Sequence, residues 1–257
     1  MRSYPAGDVD YDAAPPAYAR VRQPDPHLAA AITAALGRAA TVLNVGAGAG
    51  SYEPPDRDVT AVEPSASMRA QRPAHLRAAV DAVAEDLPFA DGQFDAAMAI
   101  ITVHQWPDLD AGLSELRRVT TGPVVIATFD PGRLREFWLR DWGQALLDSE
   151  AGRMPDLDRV AAGLGGPART ETVQLPLHCT DGFVTAFYGR PEALLREEVR
   201  RAQSAWNFLG TGAEDQIVAD LGAAIASGRW DAAYGALRRR AFYDGGYRLV
   251  VSERPER

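Results

Sequence analysis

The sequence contains no lysine; all 27 of its basic side chains are arginine. Schiff-base and lysine general-base chemistry are therefore excluded. Cysteine is nearly absent as well. Cys179 stands alone, so neither an intramolecular disulfide nor a cysteine-rich metal site can form. Histidine is sparse, and His178 next to Cys179 is a spacing that cannot make a helical metal pair, so no bound metal is expected. No apolar run approaches the roughly 20 residues that cross a bilayer, and the N-terminus lacks an apolar signal core. A cytoplasmic chain without a membrane partner is the expectation. A net charge of −8 counts against nucleic acid as a partner, because such binding needs basic surface to displace counterions.

What is present fits one enzyme-sized domain. The chain has 257 residues, and its 46% hydrophobic and 24% charged content is ordinary for a globular protein. Residues 1–24 read as an extended lead-in. Asp25-Pro26 then resembles an N-cap with proline in the first turn, and Leu28, Ile32 and Leu36 follow at helical spacing up to Gly37. Val42–Val45, Val59–Val62, Phe94–Ile101 and Pro123–Phe129 are short apolar runs separated by helical or loop segments. That alternation predicts an α/β fold with a mostly parallel sheet covered on both faces. A helix is expected from Asp108 to Val119, with Leu109, Leu113 and Leu116 on its apolar face.

The second half is more helical. Leu134, Trp138 and Trp142 share a face, and Leu195, Val199, Ala202, Trp206 and Leu209 predict one long helix after Pro191. Ile217, Leu221 and Ile225 mark another, closed at Gly228. Tyr247–Val251 reads as the last strand. The division expected is a cofactor-binding half over 25–130, helical or lid additions over about 131–245, and a final strand over 246–252, all in one domain.

The segment Asn44-Val45-Gly46-Ala47-Gly48-Ala49-Gly50 closes the first strand. Glycines there let the backbone turn sharply and approach a ligand, at the strand ends where α/β sheets bind them. The spacing is G-x-G-x-G. A dinucleotide fingerprint has its third glycine one residue later and opens a helix under the pyrophosphate. Here Pro54-Pro55 leave little room for such a helix, which counts against a nicotinamide-dependent oxidoreductase. Glu63 ends the second strand, where a carboxylate can accept hydrogen bonds from both hydroxyls of a ribose. Glycine turn and carboxylate together predict a nucleoside ligand.

The blocks VLNVGAGAG, VTAVEPSASM, AEDLPFADGQFD, HQWPD and LSELRRV, in this order over residues 42–119 and with YDAAPPAYARVR before them, resemble class I S-adenosylmethionine-dependent methyltransferases of the type 11 family. The resemblance implies a Rossmann-like, mostly parallel, seven-stranded sheet with helical insertions in its C-terminal half. It implies S-adenosylmethionine as cofactor, with Gly46, Gly48 and Gly50 toward the methionine part, Glu63 on the ribose and Met68 on the adenine. Tyr18 and Arg22 would close over the methionine end; Asn44, Ala84, Glu85 and Ile101 complete the implied cofactor set. Two positions depart from the family pattern. Asn44 replaces the usual acid, and Val83 replaces the aspartate near the adenine amine, leaving Asp81 or Glu85 as substitutes.

Methyl transfer requires alignment and exclusion of water more than acid–base machinery. A base is needed only where the nucleophile must lose a proton. His104, beyond the third strand in His104-Gln105-Trp106, is the candidate, with loop packing as its alternative role. Every tryptophan follows residue 105, and Leu177–Tyr188 is the expected lid. The expected reaction is methyl transfer to a small, apolar or aromatic metabolite by a monomer or homodimer. The alternative is a protein of the same fold that uses the cofactor without methylating, as a cyclase, a decarboxylase or a binding protein.

Overall fold

A computed structural model describes residues 21–253. Its elements run α1 (Pro26–Ala35), β1 (Thr41–Val45), β2 (Asp58–Val62), α2 (Ala66–Ala70), β3 (Ala96–Ile100), α3 (Leu109–Val119) and β4 (Val124–Phe129). Then follow α4 (Pro131–Arg135), α5 (Arg140–Arg153), α6 (Leu157–Gly163), β5 (Ala168–Thr172), β6 (Leu175–Pro176), α7 (Glu197–Arg201), α8 (Ala213–Ala226), α9 (Arg229–Tyr234), β7 (Phe242–Tyr243) and β8 (Tyr247–Ser252).

Side chains alternate across each central strand, and both sets are buried. In β4, Val125, Ala127 and Phe129 enter one core and Val124 and Ile126 the other. β3 divides the same way, Met98 opposite Ala97 and Ala99. A strand buried on both faces has no use for polar alternation, which is why these runs read as continuously apolar. α1 covers one face through Leu28 and Ile32; α3 and α6 cover the other through Leu113, Leu116 and Val160.

The main sheet has the order β2-β1-β3-β4-β8-β5. β1 pairs in parallel with β2 and β3, and β3 with β4, whereas β8 runs antiparallel to both β4 and β5. Among the described residues it therefore has six strands, not seven. A further edge strand is reduced to a single parallel bridge between Val62 and Val80. Val80 accepts from the Glu63 amide and donates to the Ala61 carbonyl, and the ladder extends no further.

No helix intervenes between β1 and β2, as Pro54-Pro55 predicted. The long helix expected after Pro191 is instead broken into a 3-10 turn (Pro191–Leu195), α7 and a second 3-10 turn (Ser204–Phe208). The breaks fall at Arg196 and Gln203, both extended. Gln203 has a local reason: its side-chain amide donates to the Gly182 carbonyl at 3.0 Å and accepts from the Trp206 indole at 3.0 Å. The stripe still buries Val199, Ala202 and Trp206 without being one helix. Trp138 meets Trp230 and Trp142 edge-on, with centroids 5.4 and 6.0 Å away respectively. These rings hold the late helices together. No helix among the described residues is long and apolar enough to cross a membrane.

Candidate functional site

Strand order reverses between β1 and β3, and such switch points leave a crevice at the carboxyl ends of the strands. A cavity of about 350 Å³ occupies it. The glycine turn leaves β1, Glu63 leaves β2, Ile101, Thr102 and His104 to Trp106 follow β3, and Phe129 ends β4; all reach the cavity wall. The far side is supplied by late elements, through Glu150, Asp181, Phe183, Val184, Ser204 and Ala205.

Gly46 is where the turn most needs glycine. Its φ is +69°, and a Cβ there would lie 2.2 Å from the Thr102 hydroxyl. The Gly48 position is looser: its φ is +53°, but the nearest atom to a Cβ is the flexible end of Met68 at 3.1 Å. The Gly48 amide donates to one Glu63 carboxylate oxygen at 2.8 Å, and the Ser65 amide to the other at 2.8 Å. The carboxylate is thus fixed at the cavity edge, and an ionised carboxylate keeps lone pairs for further donors. Burial pushes the Glu63 carboxyl above its ordinary value, partly opposed by those two amides and by Arg69 and Arg72.

Asn44 lines the cavity, and its side-chain amide donates to Glu53 at 3.1 Å. Glu53 in turn pairs bidentately with Arg72, at 2.9 and 3.0 Å, with both side chains almost fully buried. A carboxylate does stand at this end of β1, but behind the asparagine. Of the two substitutes considered for Val83, Asp81 is held by Arg69 and does not reach the wall. Glu85 does line it, with one oxygen accepting from the Asp108 amide at 3.2 Å.

Arg22, Asn44, Gly46, Gly48, Gly50, Glu63, Met68, Ala84, Glu85, Ile101 and His104 all lie on this one cavity. Tyr18 falls outside the described residues. His104 sits in a 3-10 turn after β3, its Nε2 3.4 Å from the Gln105 side-chain amide. Of the tryptophans, Trp106 alone lines the wall. The segment expected as a lid contributes Asp181, Phe183 and Val184, while Tyr188 is fully buried and donates to the Arg240 carbonyl at 2.6 Å. Asp130 is the N-cap of α4.

Tyr52 and Asp181 were not singled out by sequence. Tyr52 lies left-handed at φ +65°, and with Ile101 at φ +52° it makes the pair of non-glycine residues with positive φ among those described. Both line the cavity. Strain of this kind costs on the order of 1–3 kcal/mol and gathers at functional sites. The Tyr52 hydroxyl donates to Asp181 at 2.9 Å; burial, reinforced by that carboxylate, pushes the phenol far above its ordinary value. Asp181 also accepts from Arg22 Nε at 2.5 Å. No signal in the sequence places an aspartate of a late loop against a tyrosine 129 positions earlier. Among the described residues no group of three or more His, Cys, Asp and Glu side chains is arranged to hold a metal.

Comparison with known proteins agrees with this geometry. Residues 43–123 match the model of a family described as a methyltransferase domain. An uncharacterised protein of Escherichia coli, YafE, is 36% identical over 61 residues, 22% of this chain and 30% of that protein. The matched stretch therefore spans under a third of that relative. A crystal structure from Anabaena variabilis, of a protein assigned as a methyltransferase from an antibiotic biosynthesis pathway, superposes with a TM-score of 0.84 at 28% identity, covering 91% of this chain and 99% of the other. YcgJ of Bacillus subtilis shares the fold at a TM-score of 0.52 and 17% identity, over 90% of this chain and 99% of its own. The block order of the sequence, the crevice at the strand switch and these likenesses agree: the fold is that of the class I S-adenosylmethionine-dependent methyltransferases, and residues 43–123 carry the methyltransferase domain of the type 11 family.

Proposed function

We propose that the protein methylates a small, neutral, apolar or aromatic metabolite, with the donor at the glycine turn and the acceptor against the late elements. The observation that carries this reading is the continuity of the cavity. One space runs from Gly46, Gly48 and Glu63 to a wall containing Phe129, Phe183, Val184 and Ala205. The donor end fits a nucleoside sulfonium. The turn approaches without side chains, Glu63 offers a buried carboxylate to ribose hydroxyls, and Met68, Ala82, Val83 and Ala84 form an apolar slot beyond it. S-adenosylmethionine supplies the methyl group, already activated on a sulfonium.

The protein's own part is to align and to exclude water. Phe129, Phe183 and Val184 are each buried and give the acceptor end its apolar surface. Its charged groups come with partners. Glu150 lies 3.2 Å from Arg153, which also donates to the Ser204 hydroxyl at 3.1 Å, and Asp181 is paired with Arg22. Internally neutral walls favour an acceptor without a strong charge of its own. His104, which lines the same cavity after β3, is the group on this wall that could accept a proton from a hydroxyl or amine. Tyr52 cannot take that role, since its phenol stays protonated far above neutral pH.

The test is release of S-adenosylhomocysteine when the protein and S-adenosylmethionine meet neutral phenols, anilines and aliphatic alcohols, with carboxylates and phosphate esters as controls. Turnover with neutral aromatics and none with anions is expected. With an accepted phenol, His104→Gln should lower kcat by about 100-fold and flatten its pH profile. Donor binding with no turnover on any acceptor would favour the non-methylating use of the fold.

A further inference from the structure

Three segments distant in sequence meet at one side chain. Asp181 stands between β6 and the 3-10 turn at Val184–Phe187, and its carboxylate is nearly sealed from solvent, with 4% side-chain exposure. One oxygen takes the Arg22 guanidinium at 2.5 Å, and the other takes the Tyr52 hydroxyl at 2.9 Å. Backbone pairing supports the same junction. Arg22 and Asp181 form an antiparallel bridge, and the Gly182 amide donates to the Val21 carbonyl at 3.0 Å. Asp25, the N-cap of α1, accepts from the Thr180 amide at 3.1 Å, while its own amide donates to the Tyr52 hydroxyl at 3.2 Å.

Two costs fall on this one point. A buried ion pair adds little stability over an apolar replacement, and a left-handed tyrosine is strained. Stability alone does not call for either. What they achieve is placement: Arg22, Tyr52 and Asp181 all line the same cavity as the glycine turn, and Tyr52 follows Gly50 by two residues. Arginine is the side chain suited to pair with a carboxylate, such as the one at an amino-acid end of a ligand.

We propose that Asp181 is a positioning residue for the methyl donor: it orients Arg22 toward the donor's carboxylate and ties the 178–183 segment to Tyr52, so that donor binding and docking of these segments are one event. The proposal rests on the reading of this cavity as the S-adenosylmethionine site. Asp181 acts through Arg22 and Tyr52, and takes no part in the chemical step.

The experiment uses the full chain and S-adenosylhomocysteine as probe, with calorimetry for affinity and hydrogen exchange for docking. In wild type the probe should slow exchange in residues 46–52 and 178–183 together. Asp181→Asn should weaken binding by about tenfold or more, as expected for losing a charged hydrogen bond, and leave only 46–52 protected. The donor KM should rise while kcat changes little. Arg22→Gln combined with Asp181→Asn should bind no more weakly than Arg22→Gln alone, because both remove the same contact. Tyr52→Phe, a milder change, should uncouple the two protected regions if Asp181→Asn does not fold. Unchanged affinity and coupled protection in folded Asp181→Asn, or additive losses in the double variant, would overturn the positioning role while leaving the donor site intact. Failure of wild type to bind the probe at all would overturn the donor site and this role with it.

Discussion

The two ends of the cavity are built by opposite means. At the donor end the wall is largely backbone: a glycine turn, amides fixed on Glu63, and a gap at Gly46 that a single methyl group would close. At the end proposed for the acceptor the wall is side chain: Phe129, Phe183 and Val184, with Glu150 and Ser204 on the same wall. The donor end draws its turn and carboxylate from residues 44 to 63, one β-turn-β unit, whereas the acceptor end gathers residues from 129 to 205. A fixed ligand can be met by a rigid local motif. A variable one is met by a wall whose side chains can change without disturbing the sheet.

If that contrast is right, the largest effect belongs to the smallest substitution. Gly46→Ala should abolish measurable donor binding and cost on the order of 3 kcal/mol of stability, since it combines a left-handed φ with overlap on Thr102. Gly48→Ala meets only the movable end of Met68 and should cost about 1 kcal/mol. Denaturant unfolding and calorimetry compare them; equal losses would mean that local crowding does not rank the glycines. Glu63→Gln comes next and should weaken donor binding by about 1.5–3 kcal/mol, leaving the acceptor KM unchanged.

Glu63 also predicts a pH signature. Its carboxyl is raised in the fold by burial, so its contribution to stability is fully present below the unfolded-state value. That contribution is lost as pH rises through the raised folded value. Donor affinity uses the ionised form and should strengthen over the same interval. Opposite slopes in wild type and flat ones in Glu63→Gln are expected from thermal melts and titrations between acidic and neutral pH. The mildest change is Phe129→Leu, which lies outside the 178–183 segment, keeps the wall apolar and should cost about 1–2 kcal/mol of stability. It should raise the acceptor KM several-fold and leave donor affinity untouched. A shift in donor affinity would mean that the two ends are not separable.

The glycine-turn end of the cavity was legible because its signals are local. Glycine spacing and a strand-ending carboxylate each act within a few residues, and the structure carries both to one wall, while Pro54-Pro55 act as locally in a connection that holds no helix. Asn44 looked like a lost charge; the charge is present one step back, as Glu53 held by Arg72, which no spacing rule would pair. The missing seventh strand failed for a related reason. Ala78-Ala79-Val80 could have extended a ladder, but the chain keeps only the Val80 bridge. The apolar period from Leu195 to Leu209 counted burial correctly and continuity wrongly, because the tertiary bonds of Gln203 decide the break. Asp181 and Tyr52 lie beyond any local reading, since their partnership exists only after the late loop docks on the glycine turn.

The most direct test of the central claim is diffraction from crystals grown with S-adenosylhomocysteine. The ribose hydroxyls are expected within hydrogen-bonding distance of the Glu63 carboxylate, with the homocysteine end over Gly46 and the sulfur facing the space between His104 and Phe183. A nucleoside bound away from Glu63, or reversed so that its adenine lies over Gly46, would contradict the account.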